Sequence, residues 1–180
     1  MSSGKSTLIS EYLHFTQTVE FNPPPIKVTH EGLAFEFIDS VFAIERGGDV
    51  FNFYELDAPT ISKWYQFLEI ADAVVVVYNL NPRFMYGSHE KFGQHLIKYV
   101  KKDAPIIYAL NNLDGDEDEA KVQLAQYYDL STNHHPIEVV AVTKGIPFFD
   151  EVYGSRTELK KEELERLYNT VLNLLSDKKS

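Results

Sequence analysis

The chain has 180 residues, of which 44% are hydrophobic, and it carries a formal net charge of −10 with no cysteine. Its length and apolar content predict a single folded domain over residues 1–180 and exclude an intrinsically disordered chain. The negative charge argues against nucleic acid as a partner, and the absence of cysteine excludes disulfides and thiol catalysis. No apolar run approaches the roughly 20 residues of a membrane span, so we expect a cytoplasmic protein with no direct membrane anchor.

The first stretch, Met1–Thr7, contains the second half of the phosphate-binding pattern G-x-x-x-x-G-K-S/T. In that pattern backbone N–H groups surround the phosphates, the lysine contacts the β- and γ-phosphates, and the next hydroxyl ligates Mg²⁺. Phosphate binding is therefore predicted for Gly4, Lys5, Ser6 and Thr7, with Ser6 also holding the metal. The alternative is an ordinary helix N-terminus with a serine cap, because the tetrapeptide alone is a weak signal.

The elements that follow begin with a short helix over Ser6–Leu13 and a long proline-rich loop over Thr16–Glu31. The stretches Leu33–Ile44 and Val50–Leu56 then predict two antiparallel strands. The turn Arg46–Asp49 between them contains two glycines, which supply the positive φ angles of a tight hairpin.

Helices and strands alternate over the rest of the chain. Four helices are expected, at Ile61–Ile70, Phe84–Lys102, Glu117–Tyr128 and Glu158–Leu175. Three strands are expected, at Ala73–Leu80, Ala104–Leu110 and Ile137–Val142. Such unbroken apolar, β-branched strands are typical of a parallel sheet covered by helices on both faces, so the predicted fold class is α/β.

Polar residues follow three of these strands at their carboxyl ends, where open α/β sheets bind ligands. They lie in Glu55–Pro59, Asn111–Asp114 and Ala141–Gly145. Together with Met1–Thr7, these segments resemble the small GTPases of the Ras and Arf superfamily over the whole chain except its first strand. The resemblance implies a protein that binds GTP or GDP together with Mg²⁺.

The same resemblance implies a three-layer P-loop NTPase, small G-protein-like, with a mostly parallel sheet and one antiparallel edge strand. The first central strand would be missing, because it would precede Met1 and lie between the strands that start near Val50 and Ala73. The chain is therefore expected to be truncated within the phosphate-binding motif. A version extended upstream is expected to bind nucleotide more tightly.

Guanine recognition is implied for Asn111–Asp114, which stands where the family has Asn-Lys-x-Asp. One carboxylate can accept from both the N1–H and the N2 amino group of guanine, so Asp114 would select the base. Asn111 would connect this loop to the phosphate loop. Asn112 replaces a lysine that covers one face of the base, which implies weaker binding. The alternative is a simple turn, since Asn-Asn-Leu-Asp-Gly has good turn chemistry.

The segment Ala141, Val142 and Thr143 resembles the Ser-Ala-Lys segment of the family, in which a backbone N–H contacts guanine O6. The register between Ala141 and Val142 stays open.

The second switch departs most from the family pattern Asp-x-x-Gly-Gln. Glu55 matches the acidic residue that holds Mg²⁺, Ala58 replaces the glycine, and Pro59 replaces the glutamine that orients the attacking water. Because proline can neither donate to nor accept from that water, GTP hydrolysis is expected to be weak or absent. Thr29 is the best match to the switch threonine that ligates Mg²⁺, and Thr16 and Thr18 are weaker matches.

A protein partner is expected to bind through the switch-like regions 16–31 and 57–70. The aromatic residues Trp64, Tyr65 and Phe67 are predicted to be core, or part of that partner surface if they are exposed. The alternative function is a non-hydrolysing structural or docking subunit, similar to dynein light intermediate chains or the β-subunit of the signal-recognition-particle receptor.

Three other readings are disfavoured. A small-molecule kinase needs an arginine-bearing lid, and Glu117–Tyr128 has none. The acidic run Asp114–Glu119 lacks the glycine and glutamate positions of a calcium loop, and it suits a helix start. His134, His135 and Glu138 could ligate a metal, but the histidine pair lies in a loop and no further ligand converges on it from another segment. A solvated surface is therefore favoured over a metal site.

Overall fold

The computed structural model describes residues 5–16, 26–30, 33–37, 41–56, 64–79, 98–127, 137–151 and 154–177. Its helices are α1 (Lys5–Thr16), α2 (Trp64–Ile70), α3 (Glu117–Tyr127) and α4 (Lys161–Asp177). Its strands are β1 (Ile26–His30), β2 (Leu33–Phe37), β3 (Val41–Arg46), β4 (Asp49–Tyr54), β5 (Val74–Asn79), β6 (Ile106–Leu113), β7 (Ile137–Thr143), β8 (Ile146–Asp150) and β9 (Gly154–Glu158). The fold is mixed α/β.

A parallel three-stranded sheet in the order β5-β6-β7 forms the centre of the molecule. Side chains alternate along its strands, so that Ile107 and Val142 face one side while Ile106 and Ala141 face the other. The first side is covered by α1 and α4, and the second side by α2 and α3. The predicted parallel sheet with helices on both faces is therefore confirmed.

The β3–β4 hairpin is also confirmed. Its strands pair antiparallel, with Arg46 opposite Asp49 at the closed end. Gly47 and Gly48 have φ angles of 62° and 86°. A two-residue turn with both φ angles positive matches the twist of the flanking strands, which is why the glycine pair predicted the hairpin correctly.

The chain before β3 differs from expectation. The loop predicted over Thr16–Glu31 and the single strand predicted over Leu33–Ile44 are both wrong. β1 occupies the end of that loop and pairs antiparallel with β2, while β3 pairs with β4 instead. The two halves of the predicted long strand therefore have different partners. The three prolines lie outside the described residues.

Antiparallel structure is more extensive than the single edge strand that was predicted. The described residues contain three antiparallel pairs, β1–β2, β3–β4 and β8–β9, each as a separate two-stranded sheet. In this part of the chain β4 and β5 belong to different sheets, so the predicted mostly parallel sheet with its antiparallel edge strand is not seen as one sheet. The β8–β9 hairpin was missed because its strands are short and one of them, Gly154–Glu158, is mostly polar.

Several element ends also move. β6 continues to Leu113, beyond the predicted end at Leu110, and α4 begins at Lys161 because Glu158 belongs to β9. Residues 98–103 form turns, so the helix predicted to end at Lys102 does not reach it. A bond from the Ala104 N–H to the Lys101 carbonyl closes one of these turns. No helix among the described residues has the length and apolarity needed to cross a membrane.

Tyr108 provides a stability prediction from the centre of the sheet. It is 0% exposed, and burial raises the pKa of its phenol from 10.0 to about 12. Because the folded state favours the neutral phenol, the stability linked to Tyr108 is fully present below pH 10 and is lost as the pH rises towards 12.

We therefore expect the wild-type chain to lose about 2–3 kcal/mol more than Tyr108→Phe across that alkaline window. Urea unfolding of both proteins on each side of the window measures the difference. Burial also raises the pKa values of Tyr12 and Tyr54, so both proteins share a background loss. Equal losses in the two proteins would contradict the prediction.

Candidate functional site

Helix α1 and the end of β4 meet around Tyr168. The rings of Tyr12 on α1 and Tyr168 on α4 stack with centroids 3.8 Å apart, and Phe53 of β4 meets Tyr168 edge-on at 5.5 Å. Leu8 anchors the first turns of α1 in the same core. These contacts hold α1 and β4 in a fixed relation.

The consequence is an ion pair between the two predicted site residues on these elements. The Nζ of Lys5, at the first residue of α1, lies 3.8 Å from Oε1 of Glu55, which directly follows β4. The Lys5 side chain is 29% exposed and that of Glu55 only 10%. Burial, then Tyr12 and the nearby Glu55 carboxylate, raise the pKa of Tyr168 above its ordinary value.

The structure describes only some of the other residues that were predicted to bind phosphate or Mg²⁺. Ser6 and Thr7 lie in the first turn of α1, whereas Gly4, Ala58 and Pro59 lie outside the described residues. Thr29 lies within β1, opposite Ala34, and not in a loop before the second strand. The loop expected around Thr29 is therefore wrong, because its backbone belongs to a strand ladder, and its assignment as a Mg²⁺ ligand stays a prediction. Thr16 is the last residue of α1.

Metal ligands are sparse in the described part of the chain. No group of three or more histidine, aspartate or glutamate side chains converges there as a metal site. Glu138 is exposed on β7, and His134 and His135 lie outside the described residues. Glu55 is the described carboxylate nearest to Lys5. A Mg²⁺ ion there would depend on phosphate oxygens and water for its remaining ligands, as Mg²⁺ sites commonly do.

A second group of predicted residues lies at the carboxyl ends of β6 and β7. Leu110 pairs with Ala141 and Leu113 with Thr143, so β6 contains one extra residue between these pairs. Such a bulge redirects the side chains next to it. Asn111 lies in this irregular segment and is buried. Asn111 and Asn112 thus lie within β6, although the sequence predicted them in the loop after it.

Asp114 follows the bulge and is exposed. Its Oδ2 lies 3.5 Å from Nζ of Lys144, and their side chains are 81% and 58% exposed. The backbone N–H of Lys144 donates to the carbonyl of Leu113 at 2.8 Å, which joins the two strand ends. An exposed pair of this kind contributes little to stability, so the Asp114 carboxylate is accessible to other donors.

The outer edge of β7 is held by side chains of α4. Glu163 accepts from the backbone N–H of Thr143 at 2.8 Å and from its hydroxyl at 3.0 and 2.9 Å. One helical turn further on, Arg166 donates to the carbonyl of Ala141 at 2.8 Å. Residues three apart on a helix share a face, so α4 satisfies two successive outward-facing backbone groups of this strand.

A salt-bridge network extends this edge to α3. Arg166 lies 3.4 Å from Glu117, and Glu117 lies 2.8 Å from Lys121. The ammonium group of Lys121, together with the guanidinium of Arg166, holds the pKa of the Glu117 carboxyl below its usual range. The Arg166 guanidinium thus connects the end of β7 to the first turn of α3.

The acidic run before α3 is a helix start, as predicted. Oδ1 of Asp116 accepts from the N–H groups of Asp118 and Glu119, at 2.8 and 3.1 Å, which caps the helix. Gly115 has a φ angle of 145° in the turn that leads into it. The Asp116 carboxylate thus accepts from two backbone N–H groups at the start of α3. This agrees with the prediction of a capped helix start and not a calcium loop.

The aromatic residues of α2, which were predicted to be core or part of a partner surface, are largely buried where the structure describes their side chains. Phe67 is buried, and Tyr65 is half-buried with its ring centroid 5.7 Å from that of Tyr99. Ile70, at the end of α2, is an exposed hydrophobic residue. Of the two switch-like regions, residues 17–25 and 57–63 lie outside the described chain.

Sequence reasoning missed Glu163, Arg166 and Lys144. Glu163 was visible only as one of several acidic residues that suit a helix start, and nothing in the sequence connected it to Thr143. Lys144 follows the predicted strand directly, so its position beside Asp114 could have been proposed from the parallel pairing of β6 and β7.

Comparisons with known proteins identify no relative. The chain matches no model of a known protein family, and no curated protein is significantly similar to it in sequence.

Proposed function

We propose that this protein is a guanine-nucleotide-binding, small-GTPase-like P-loop domain that acts through partner binding. The observation that carries the proposal is the 3.8 Å approach of Lys5 to Glu55. These two residues are far apart in the chain, and the sequence resemblance assigns them to the phosphates and to Mg²⁺. Packing around Tyr168 brings together the two elements that carry them.

The base-binding half of the proposal is supported by the ends of β6 and β7. Asp114 is exposed and adjacent to Lys144, while Asn111 is buried beside it at the bulge. A carboxylate in this position can accept from the N1–H and N2 amino group of guanine, and adenine offers neither donor there. The alkyl stem of Lys144 is available to cover a base face, which would offset the loss implied by Asn112.

Both halves belong to elements of one hydrophobic core. That core includes Leu8 of α1, Phe51 of β4, and Ala109 and Val142 of the parallel sheet. The proposed phosphate-binding and base-binding residues are therefore carried by a common scaffold, as a single nucleotide would require.

GTP hydrolysis is proposed to be weak or absent, because Pro59 stands where the hydrolysing small GTPases that the sequence resembles have glutamine. The same residue supports the second candidate, a non-hydrolysing docking subunit that keeps a bound nucleotide. Quantification of GTP and GDP in the purified complex over time separates the two. Slow conversion favours a weak GTPase, and unchanged GTP with a stoichiometric partner favours the docking subunit.

Calorimetric titration tests the proposal, with GDP and ADP compared in the presence of Mg²⁺. We expect GDP to bind more tightly than ADP, and Lys5→Met to weaken GDP binding by about 30-fold through loss of a charged contact to phosphate. Lys98→Met is the matched control, because Lys98 is exposed and far from α1 in the chain. Equal binding of GDP and ADP, or no effect of Lys5→Met, would exclude the proposed site.

A further inference from the structure

Arg166 connects elements on the two faces of the parallel sheet. Its guanidinium donates to the carbonyl of Ala141 at 2.8 Å, and the same nitrogen lies 3.4 Å from Oε2 of Glu117. Helix α4, which carries Arg166, covers one face of the sheet, and α3, which carries Glu117, covers the other. The Arg166 side chain therefore passes the outer edge of β7 and joins the first turn of α3 to that strand.

This first turn lies directly after the proposed base-reading carboxylate. Asp114 belongs to a short segment with two fixed ends. One end is the Leu113 carbonyl, which accepts from the Lys144 N–H at 2.8 Å, and the other is the start of α3. Gly115, with a φ angle of 145°, joins Asp114 to the helix. Because the Asp114 side chain is 81% exposed, its position depends on how these two ends are held.

Glu117 has two cationic partners with different consequences. Lys121 lies 2.8 Å away on the same helix, so this pair stabilises α3 without fixing where the helix begins. Arg166 lies farther away, at 3.4 Å, but it belongs to another element and also bonds to β7. Of the two pairs, the one with Arg166 relates the start of α3 to the end of β7.

We infer that Arg166 is a positioning residue for base recognition: through Glu117 it holds the first turn of α3 at the end of β7, and so fixes the Asp114 carboxylate where it can accept from both donors of guanine. The inference rests on the proposed function. Arg166 acts on the base through Glu117 and the backbone of residues 114–117. Both side chains are partly exposed, and such pairs contribute little to overall stability, so their loss displaces the turn more than it weakens the fold.

A role in stability alone gives a different result. In that case loss of Arg166 lowers the melting temperature and leaves base preference unchanged. The relevant preference is that for GDP over inosine diphosphate, which keeps the N1–H but lacks the N2 amino group. A positioning role lowers this preference, because a displaced carboxylate can keep one hydrogen bond more easily than two.

The test measures GDP and inosine diphosphate binding to the full chain by calorimetry in the presence of Mg²⁺. We expect Arg166→Met to weaken GDP binding about fivefold, the value of one hydrogen bond, and to lower the preference for GDP from about tenfold to about twofold. Lys121→Met is the matched control. It removes one positive charge and the closer partner of Glu117, but that contact lies within α3, so both ligands should bind as to the wild-type chain.

Two further variants keep the test decisive if Arg166→Met does not fold. Glu117→Ala breaks the same connection from α3 and leaves the bond from Arg166 to Ala141 in place, so it should lower the preference equally. The double variant should lose no more than either single variant, because both remove one connection. A wild-type preference in Glu117→Ala, or losses that add in the double variant, would overturn the inference.

Amide hydrogen exchange provides a second readout that needs no nucleotide. The N–H of the buried Ala120 donates to the Asp116 carbonyl at 3.2 Å, so its exchange reports opening of the first turn of α3. We expect exchange about fivefold faster in Arg166→Met, and at most about twofold faster in Lys121→Met. Exchange in Arg166→Met as slow as in the wild-type chain would show that Arg166 does not hold this turn.

Failure of the inference and failure of the proposed function give different results. If the preference for GDP depends on Asp114 but not on Arg166, the inference alone is wrong. If GDP does not bind, or if its preference over inosine diphosphate survives Asp114→Ala, both are wrong.

Discussion

Asp114→Ala should weaken GDP binding by about 100-fold, the largest effect on ligand binding that we expect from one side chain. The carboxylate is exposed at the end of β6 and can accept from two donors of guanine at once. Two hydrogen bonds to a charged group, at about 1.5 kcal/mol or more each, account for a change of this size. Calorimetric titration with GDP measures the change directly.

Base selectivity provides the sharper comparison for the same variant. Inosine diphosphate keeps the N1–H and O6 of guanine but lacks the N2 amino group. The wild-type chain should therefore prefer GDP over inosine diphosphate by about tenfold, and Asp114→Ala should bind both equally. The neighbouring Asp118→Ala is the control, because Asp118 is exposed on the first turn of α3. A preference for GDP that survives Asp114→Ala would rule out this carboxylate as the base reader.

Gly145→Ala should destabilise the fold by about 2–3 kcal/mol, the largest stability effect we expect from adding a single methyl group. A Cβ at this position would overlap Cγ2 of Thr157 and would lie 2.7 Å from the Glu158 carbonyl oxygen and 2.8 Å from Cδ2 of Leu159. The backbone oxygen cannot rotate away as a side chain can, so the connection between β7 and β8 must move away from the end of β9. The melting temperature should fall by about 5–10 °C.

Two companion variants identify the cause. Thr157→Ser removes the closest atom, so it should recover part of the stability of Gly145→Ala and leave the contact with the Glu158 oxygen. Gly47→Ala has open space around the added Cβ but a φ angle of 62°, so it reports the cost of backbone conformation alone. That cost is about 1–2 kcal/mol. If Gly145→Ala melts at the same temperature as the wild-type chain, the close approach of Gly145 to the end of β9 is wrong.

Gly145 also connects stability to the proposed site. Gly145 follows Lys144, which pairs with Asp114, and lies two residues from Thr143, which is bonded to Glu163. Strain at Gly145 would therefore shift the end of β7 relative to both carboxylates. Loss of GDP affinity in Gly145→Ala is therefore expected alongside the loss of stability. The temperature of unfolding and the affinity should recover together in the Thr157→Ser double variant.

The sequence predicted those parts of the fold whose signals are local. Two adjacent glycines indicated the β3–β4 hairpin, and consecutive valines indicated a strand covered on both faces. The acidic turn before Ala120 indicated the start of α3. In each case the information lies within a few neighbouring residues, because turn geometry, strand burial and helix capping depend on local conformation.

Strand pairing was less predictable. β1 has the alternating sequence Ile-Lys-Val-Thr-His, yet the prolines before it suggested a loop, and its partner β2 was assigned to a longer strand with β3. Which of two adjacent strands pairs with which neighbour depends on contacts that are distant in sequence. The bulge at Asn111 was missed for the same reason, since it is defined by how β6 pairs with β7.

The sequence by itself determined the chemistry available to this protein: a lysine at the start of α1, a carboxylate after β4, and an asparagine and an aspartate at the end of β6. Only the tertiary structure decided which of these groups meet. It brings Lys5 to Glu55 through the packing around Tyr168, and it brings the unforeseen Glu163 to Thr143 through the face that α4 turns towards β7. Side-chain type is written in the sequence, but proximity between distant residues arises only when the chain buries its apolar surface in one arrangement.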